Sequence, residues 1–148
     1  MNFGSSFGIS ASALTAQRLR MDVISSNIAN AETTRASMVD GKAVPYRRKL
    51  VVMETAQPDS FSNILNSKMG SGSEGVKVKS IIEDSSPLKP VYNPSHPDAD
   101  ADGYVYMPNV DLTKEMVDML SASRSYEANV TMLNASKSMV AKALEIGR

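Results

Sequence analysis

The sequence predicts an α+β protein in which two long terminal helices pair as an antiparallel coiled coil, with a small β-rich domain between them. Glycine and proline are absent from residues 9–40 and 109–146, and all seven prolines fall between Pro45 and Pro108. Both residue types interrupt helices, so the two ends are free to form long ones. Apolar residues recur every seven positions at both ends and alternate in the middle. We therefore expect an N-terminal helix within residues 1–32, a β-rich region in 33–108 and a long helix within 109–148.

The N-terminal helix is predicted from about Ile9 to Asn30 and would be roughly 33 Å long. Its apolar stripe follows two series of residues spaced seven apart, which is the spacing of a helix that packs along one seam. The seam residues predicted in this helix are Leu14, Met21, Ile24 and Ile28.

The C-terminal helix is the strongest signal in the sequence. Pro108 cannot continue a helix backwards, Asn109 or Asp111 can cap its start, and Gly147 stands where a helix would stop. Two interleaved seven-residue series run along it, and eight of their ten positions are apolar or aromatic. This pattern favours a coiled coil roughly 55 Å long. Its predicted seam residues are Leu112, Met116, Met119, Tyr126, Val130, Leu133, Val140 and Leu144.

The unequal length of the two helices indicates an assembly. An antiparallel pair within one chain covers only part of the longer seam. Either the middle domain covers the remainder, or the remainder packs on another molecule. We expect the second arrangement and keep the first as the alternative.

The middle region is expected to contain three strands: Val44–Met53, Val76–Ile82 and Tyr104–Tyr106. Glycines and serines in residues 67–75 predict a flexible loop, and one helical turn is expected at Phe61–Leu65. The four prolines between Pro87 and Pro97 predict an extended segment.

Composition excludes several classes of function. Sixteen basic residues balance sixteen acidic ones, so no overall charge draws the chain to nucleic acid or to a lipid surface. The short basic cluster Arg47, Arg48 and Lys49 is interpreted as solvated charge rather than as a nucleic-acid site. No apolar run approaches the ~20 residues needed to span a bilayer, so no membrane insertion is expected. The N-terminus does not have the pattern of a cleaved secretory signal.

No metal site is expected. With no cysteine and one histidine, the chain cannot form a cysteine-based or multi-histidine zinc site. Asp98, Asp100, Asp102 and Gly103 match the opening of a calcium loop, but the twelfth position is Asn109 where a glutamate is required. We interpret the segment as an acidic turn that leads into the strand at Tyr104.

No catalytic group or cofactor site is expected either. His96 stands between Ser95 and Pro97, and no nearby residue completes a triad with it. The glycines of residues 70–75 lack the flanking strand and helix of a phosphate-binding loop. The helical glutamates are interpreted as solvent-facing; they are Glu115, Glu127 and Glu145. The sequence therefore predicts a protein that is not an enzyme.

Three segments resemble the flagellar rod and hook proteins of bacteria. Ser26-Asn27-Ile28-Ala29-Asn30, followed by Thr33, is similar to the motif that closes the first helix in that family. Residues 97–105 and 107–110 resemble the stretch before the last helix, and residues 122–129 and 137–139 resemble that helix itself. The short chain lacks a large central insertion, which favours the members that form the proximal rod.

The resemblance implies a structural subunit of the flagellar basal body. Such proteins leave the cell unfolded through the flagellar type III export apparatus, without a cleaved signal. They assemble with other rod subunits and with copies of themselves into a helical drive shaft that transmits torque from motor to hook. The alternative function is a soluble coiled-coil adaptor or secretion chaperone.

Overall fold

The protein is α+β, with one long helix at each end of the described chain. The structure is a computed structural model and describes residues 3–39, 42–56 and 75–146. Helix α1 spans Phe3–Ala29 and helix α2 spans Leu112–Ile146. Within these described ranges, six strands lie between the two helices: β1 (Ser37–Val39), β2 (Lys42–Val44), β3 (Lys49–Ala56), β4 (Gly75–Glu83), β5 (Lys89–Tyr92) and β6 (Tyr104–Met107).

The six strands form three two-stranded sheets, β1–β2, β3–β4 and β5–β6. In the antiparallel pair β5–β6, Pro90 lies opposite Tyr106 and Tyr92 lies opposite Tyr104. The Asn93 amide donates to the Gly103 carbonyl at 2.9 Å. Hydrogen-bonded pairs alternate along an antiparallel ladder, so Pro90 falls at a position that needs no amide donor.

Both helix ends predicted from the sequence have a clear physical cause. The Asp111 carboxylate caps α2, because its Oδ1 accepts the amides of Thr113 and Lys114 at 3.0 and 3.3 Å. At the end of α1, the Asn30 side chain donates to the Ser26 carbonyl at 2.9 Å. Helix α1 begins earlier than predicted, because a single glycine such as Gly8 costs a helix only about 1 kcal/mol.

One prediction about the middle region was wrong in detail. The first predicted strand does not begin at Val44. Val44 ends the short strand β2, Pro45 and Tyr46 are buried outside any strand, and β3 begins at Lys49. The proline-rich segment is extended at β5, as predicted, and this strand pairs with β6. The predicted helical turn at Phe61–Leu65 lies outside the described residues, as does the predicted loop up to Gly75, where β4 begins.

The chain divides into two compact units. The first unit comprises Met1–Arg20, Val52–Ser80 and Ser121–Arg148, and the second comprises Met21–Val51 and Ile81–Leu120. The predicted boundaries near residues 32 and 108 stay predictions. Among the described residues, neither helix has an apolar stretch long enough to cross a bilayer.

The first unit has a core of small residues. Ala16, Ala122 and Ser136 are buried in it. The Ser12 hydroxyl accepts the Val76 amide at 3.1 Å, and a Cβ at Gly75 would lie 2.7 Å from that hydroxyl oxygen. A side chain at position 75 would therefore displace the Ser12 hydroxyl and weaken its hydrogen bond with Val76.

The second unit has a larger and more polar core. Its buried apolar residues include Val23, Ile24, Tyr46, Val105 and Val110. Asn27 and Glu115 are each only 1% exposed, so polar groups occupy the centre of this unit. Burying a polar group costs free energy unless the group is hydrogen-bonded, so both side chains need partners inside this unit.

Candidate functional site

Asn27 is the centre of a buried hydrogen-bonded cluster in the second unit. Its Oδ1 accepts the Tyr46 hydroxyl at 3.0 Å and the Lys49 amide at 2.9 Å. Its Nδ2 donates to the Lys49 carbonyl at 2.9 Å and to Glu115 Oε2 at 3.0 Å. All four hydrogen bonds that a side-chain amide can make are therefore formed. We call Asn27, Tyr46, Arg48, Lys49 and Glu115 the Asn27 cluster.

Arg48 supplies the positive charge of the Asn27 cluster. Its guanidinium lies 2.6 Å from Glu115 Oε1 through both Nε and Nη2. Asp84 and Asp118 lie farther from the same group, at 3.7 and 3.5 Å. Hydrogen bonds from Ser86, with the nearby Arg48 guanidinium, lower the pKa of the Asp84 carboxyl. The buried Glu115 carboxylate therefore accepts hydrogen bonds from the Arg48 guanidinium and from the Asn27 side-chain amide.

Asn109 joins a third segment to the same region. Its Oδ1 accepts the Arg48 amide at 2.8 Å, and its Nδ2 donates to the carbonyls of Asp84 and Ser86 at 3.3 and 3.2 Å. The Asp84 amide donates in turn to the Arg48 carbonyl at 2.8 Å. The start of β3, the end of β4 and the approach to α2 are therefore held together by hydrogen bonds.

Two interpretations made from the sequence were wrong at this cluster. Glu115 was expected to face solvent, but it is among the most buried side chains. Arg48 was interpreted as solvated charge, but its side chain is only 12% exposed. The partners lie 67 and 88 residues apart in the chain, so no local pattern links them. The one available signal was Asn27, because it lies in the motif that carried the resemblance.

The other residues of the Ser26–Thr33 motif close helix α1. The Ser26 hydroxyl lies 3.4 Å from the Tyr46 hydroxyl. The Thr33 amide donates to the Asn30 carbonyl at 3.1 Å, and the Thr33 carbonyl accepts the Tyr46 amide at 3.1 Å. Ile28 is half-buried and Ala29, the last residue of α1, is exposed. The motif therefore both ends the helix and positions Tyr46 against Asn27.

The predicted seam residues differ widely in burial. On α1, Ile24 is buried while Leu14, Met21 and Ile28 are half-buried. On α2, five seam residues are half-buried and three are exposed: Leu112 at 44%, Met116 at 57% and Leu144 at 71%. The half-buried ones are Met119, Tyr126, Val130, Leu133 and Val140. The deepest positions of α2 are instead Glu115, Ala122 and Ser136. Packing of the seam against another subunit stays a prediction.

Helix α2 also exposes large apolar side chains outside the predicted seam. Val117, Leu120, Met132 and Met139 are each 56% to 62% exposed. Single exposed apolar residues are ordinary on a protein surface, but a row of them along one helix indicates an interaction face.

A cleft of about 540 Å³ opens in the second unit, lined mainly by apolar residues. At its polar side, Thr34 Oγ1 donates to Asp98 Oδ2 at 2.8 Å, and Arg35 pairs with the same carboxylate. The hydrogen bond from Arg35 holds the pKa of Asp98 below its ordinary value. His96 Nδ1 accepts the Asp98 amide at 3.1 Å, so it is engaged by the backbone of the acidic turn. Within the described residues, no group of three metal-ligating side chains lies close enough to hold an ion.

Comparison with known proteins connects these features to one family. The family model "Flagella basal body rod protein" matches residues 7–36, which include the Ser26–Thr33 motif. The model "Flagellar basal body rod FlgEFG protein C-terminal" matches residues 101–146, which include α2. The two matches cover the residues on both sides of the Asn27–Glu115 contact.

Relatives match along nearly the whole chain. The flagellar basal-body rod protein FlgC of Bacillus subtilis is 60% identical over 146 residues, covering 97% of each chain. The protein of the same name from Borreliella burgdorferi is 47% identical, covering 99% of this chain and 98% of that one. The one from Escherichia coli O6:H1 is 48% identical and covers 96% of each.

Proposed function

This chain belongs to the FlgC family of flagellar basal-body rod proteins and is a structural subunit of the rod, and from that premise we propose how it is built into the rod. Its exposed helix faces pack against other rod subunits and against copies of itself in the proximal part of the rod. The assembled helical shaft then carries torque from the motor to the hook.

The observation that carries the proposal is the set of large apolar side chains left exposed on α2, both on the predicted seam and outside it. Leu112, Met116 and Leu144 belong to the predicted seam and are 44% to 71% exposed. Burying such side chains contributes about 1.5–3 kcal/mol each, so a neighbouring subunit that covers them gains substantial binding free energy. Pairing of α1 with α2 as an antiparallel coiled coil is part of the same proposal.

The Asn27 cluster supports a mechanical role. It joins the end of α1, the start of β3 and the start of α2 through buried and charge-assisted hydrogen bonds. The hydrogen bonds to the Glu115 carboxylate are charge-assisted, and such bonds are shorter and stronger than neutral ones. A load applied to either helix is therefore passed to the middle segment through a defined contact. No chemical step is needed for this role, in keeping with a structural family.

The route to the rod is also proposed. The chain passes unfolded through the flagellar type III export apparatus, and its terminal helices become fully ordered only when they pack on neighbours. Ordering on assembly delays self-association until the subunit reaches its site of use. The proposal requires neither membrane insertion nor nucleic acid nor a cofactor.

Mass spectrometry of purified basal bodies tests the proposed function. We expect this chain at a fixed ratio to the other rod subunits after detergent extraction. A chain that is abundant in the cytoplasm and absent from basal bodies would instead be a soluble adaptor or export chaperone. The near-complete match to named rod proteins disfavours that alternative.

A further inference from the structure

An aromatic face is exposed on the β5–β6 hairpin. Residues opposite each other in an antiparallel pair share a face, and so do residues two positions along. Pro90, Tyr92, Tyr104 and Tyr106 therefore lie on one side, which we call the tyrosine face. Its three tyrosines are 44% to 67% exposed, while Val105 on the opposite side is buried. The rings of Tyr92 and Tyr104 meet edge to face with centroids 5.4 Å apart, which fixes their orientation.

Acidic residues lie beside the tyrosine face. The turn before β6 is tied to it, because the Asp100 amide donates to the Tyr104 carbonyl and the Gly103 amide donates to the Asp100 carbonyl, both at 2.9 Å. Asp100 and Asp102 of this turn are exposed. The hairpin therefore presents π faces next to carboxylates, a combination suited to a partner that carries cations and polarisable apolar groups.

A second exposed face has the matching chemistry and lies on the C-terminal half of α2. Ala128, Met132, Ala135 and Met139 follow one another at spacings of three or four residues, so they line one side of the helix, and all four are exposed. Arg124 and Lys142 continue the same stripe at its two ends and are also exposed. We call these six residues the methionine face. It lies apart from the predicted seam, on another side of the same helix.

The net charges of the two compact units also favour contact between these two faces. The unit that holds the methionine face contains nine Lys or Arg and five Asp or Glu, a net charge of +4. The unit that holds the tyrosine face contains seven and eleven, a net charge of −4. Opposite charges of this size accelerate association and favour the orientation that brings unlike units together.

We propose that the tyrosine face of one subunit docks on the methionine face of a second copy of this chain. Methionine sulfur packs favourably against aromatic rings, and Arg124 and Lys142 meet the tyrosine π faces and the carboxylates of Asp100 and Asp102. The two faces lie in different units of the chain, so each contact leaves one face free on each copy. Such a heterologous contact repeats from subunit to subunit and builds an open helical array.

The proposal rests on the proposed function as a rod subunit and adds a specific self-contact to it. The chain has no cysteine, so disulfide cross-linking between introduced cysteines can test that contact directly. One tagged copy carries Pro90→Cys, which keeps all three tyrosines. A second, differently tagged copy carries Ala135→Cys in the centre of the methionine face. The matched control is Ala141→Cys, an exposed alanine six residues along the same helix and therefore about 120° around it.

Both copies are expressed together in a motile bacterial strain, and basal bodies are purified from it and oxidised. The yield of the disulfide-linked dimer between the two differently tagged copies is then measured. We expect the Pro90–Ala135 dimer to exceed the Pro90–Ala141 dimer by more than about tenfold. As a second variant, Met132→Gln with Met139→Gln keeps side-chain length and exposure but removes the sulfurs. Adding both substitutions to the Ala135→Cys copy should lower the Pro90–Ala135 dimer by a similar factor, with helicity of the isolated chain unchanged.

The outcomes distinguish a failure of the proposed contact from a failure of the proposed rod function. Equal dimer yields at positions 135 and 141, with both copies present in basal bodies, overturn the tyrosine–methionine contact and leave the rod function intact. An unchanged cross-link after the double glutamine substitution also overturns the contact. Absence of both tagged copies and of the unmodified chain from basal bodies overturns the rod function itself, and the contact with it.

Discussion

Asn27 illustrates how one residue type can be required by its hydrogen bonds alone. Two donors and two acceptors converge on its amide from Tyr46, Lys49 and Glu115. An aspartate at this position would lose both donors and would place a second carboxylate beside Glu115. A leucine would leave the Glu115 carboxylate and the Lys49 backbone without these partners in a buried site. Asparagine is thus the side chain of suitable size that satisfies all four contacts.

Asn27→Ala should lower the free energy of unfolding by about 2–4 kcal/mol, because it leaves buried polar groups unpaired. Urea denaturation followed by circular dichroism measures the change. The control is Asn129→Ala, since Asn129 is half-buried and its side chain donates to the Ser125 carbonyl of its own helix. We expect the control to cost less than about 1 kcal/mol. Equal losses in the two variants would show that the Asn27 cluster contributes no special stability.

Asp98 gives the second unit a pH-dependent contribution to stability. Its pKa is held below the ordinary value, first by the hydrogen bond from Arg35 and then by that from Thr34. A carboxyl whose folded pKa is depressed stabilises the fold above its unfolded pKa of about 4, and this contribution is lost as the pH falls through the lower folded value. Asp98→Asn should therefore destabilise the protein at pH 7, and the difference from wild type should shrink as the pH falls below about 4.

Urea unfolding of wild type and Asp98→Asn at neutral and acidic pH measures this difference. The control is Asp102→Asn in the same exposed turn, which should change the neutral-pH stability by less than about 0.5 kcal/mol. If the difference in free energy of unfolding between wild type and Asp98→Asn stayed constant at every pH, the ion pair with Arg35 would not be its cause.

At the scale of elements, the sequence determined the helices well because their signals are local. Pro108 and Asp111 define the start of α2, and the Ser26–Thr33 motif defines the end of α1. Strands β4 and β6 were also predicted nearly to the residue from alternating apolar positions. Strands β1 and β2 were missed because each spans only three residues, too few to show an alternating pattern, and β5 was missed because it depends on its pairing with β6.

The polar core could not be predicted from the sequence, because its hydrogen-bonded partners lie far apart in the chain. Arg48 and Glu115 each stand among residues typical of a solvated surface, and nothing near them in the chain marks their pairing. Burial on α2 follows Glu115, Ala122 and Ser136, a set of small or polar residues that lies beside the apolar series of Leu112, Met119 and Leu133 on the helix surface. Sequence patterns detect apolar faces, whereas this helix turns a polar and small face inward and leaves apolar residues outside.

The seam assignment on α2 leads to a prediction at the scale of that helix. Leu133→Asp places a charge on a half-buried position of the predicted seam. Burying that charge against a neighbour costs of order several kcal/mol, so we expect normal synthesis but lost incorporation into basal bodies and lost swimming. Asn134→Asp introduces the same charge at the next, exposed position and should leave swimming intact. Normal motility of the Leu133→Asp strain would contradict the seam.

At the scale of the whole molecule, much of the apolar surface of α2 is uncovered in the isolated chain. It has no tryptophan, and among the described residues seven large apolar side chains of α2 are 44% or more exposed. Long helices draw most of their stability from the packing of an apolar face, not from intrinsic propensity. A 35-residue helix with so much of its apolar surface uncovered is therefore expected to be only partly stable until a neighbour packs on it.

Circular dichroism over a range of concentrations tests this expectation. The monomer at micromolar concentration should show clearly less helix than α1 and α2 together would give, and the signal should rise when self-association is detected by sedimentation. The increase should be smaller in Leu133→Asp, because that substitution blocks the burial that orders the helix. Full helicity in a strictly monomeric sample would mean that the helices are ordered before assembly. In that case a mechanism other than folding on the growing rod would have to prevent self-association before export.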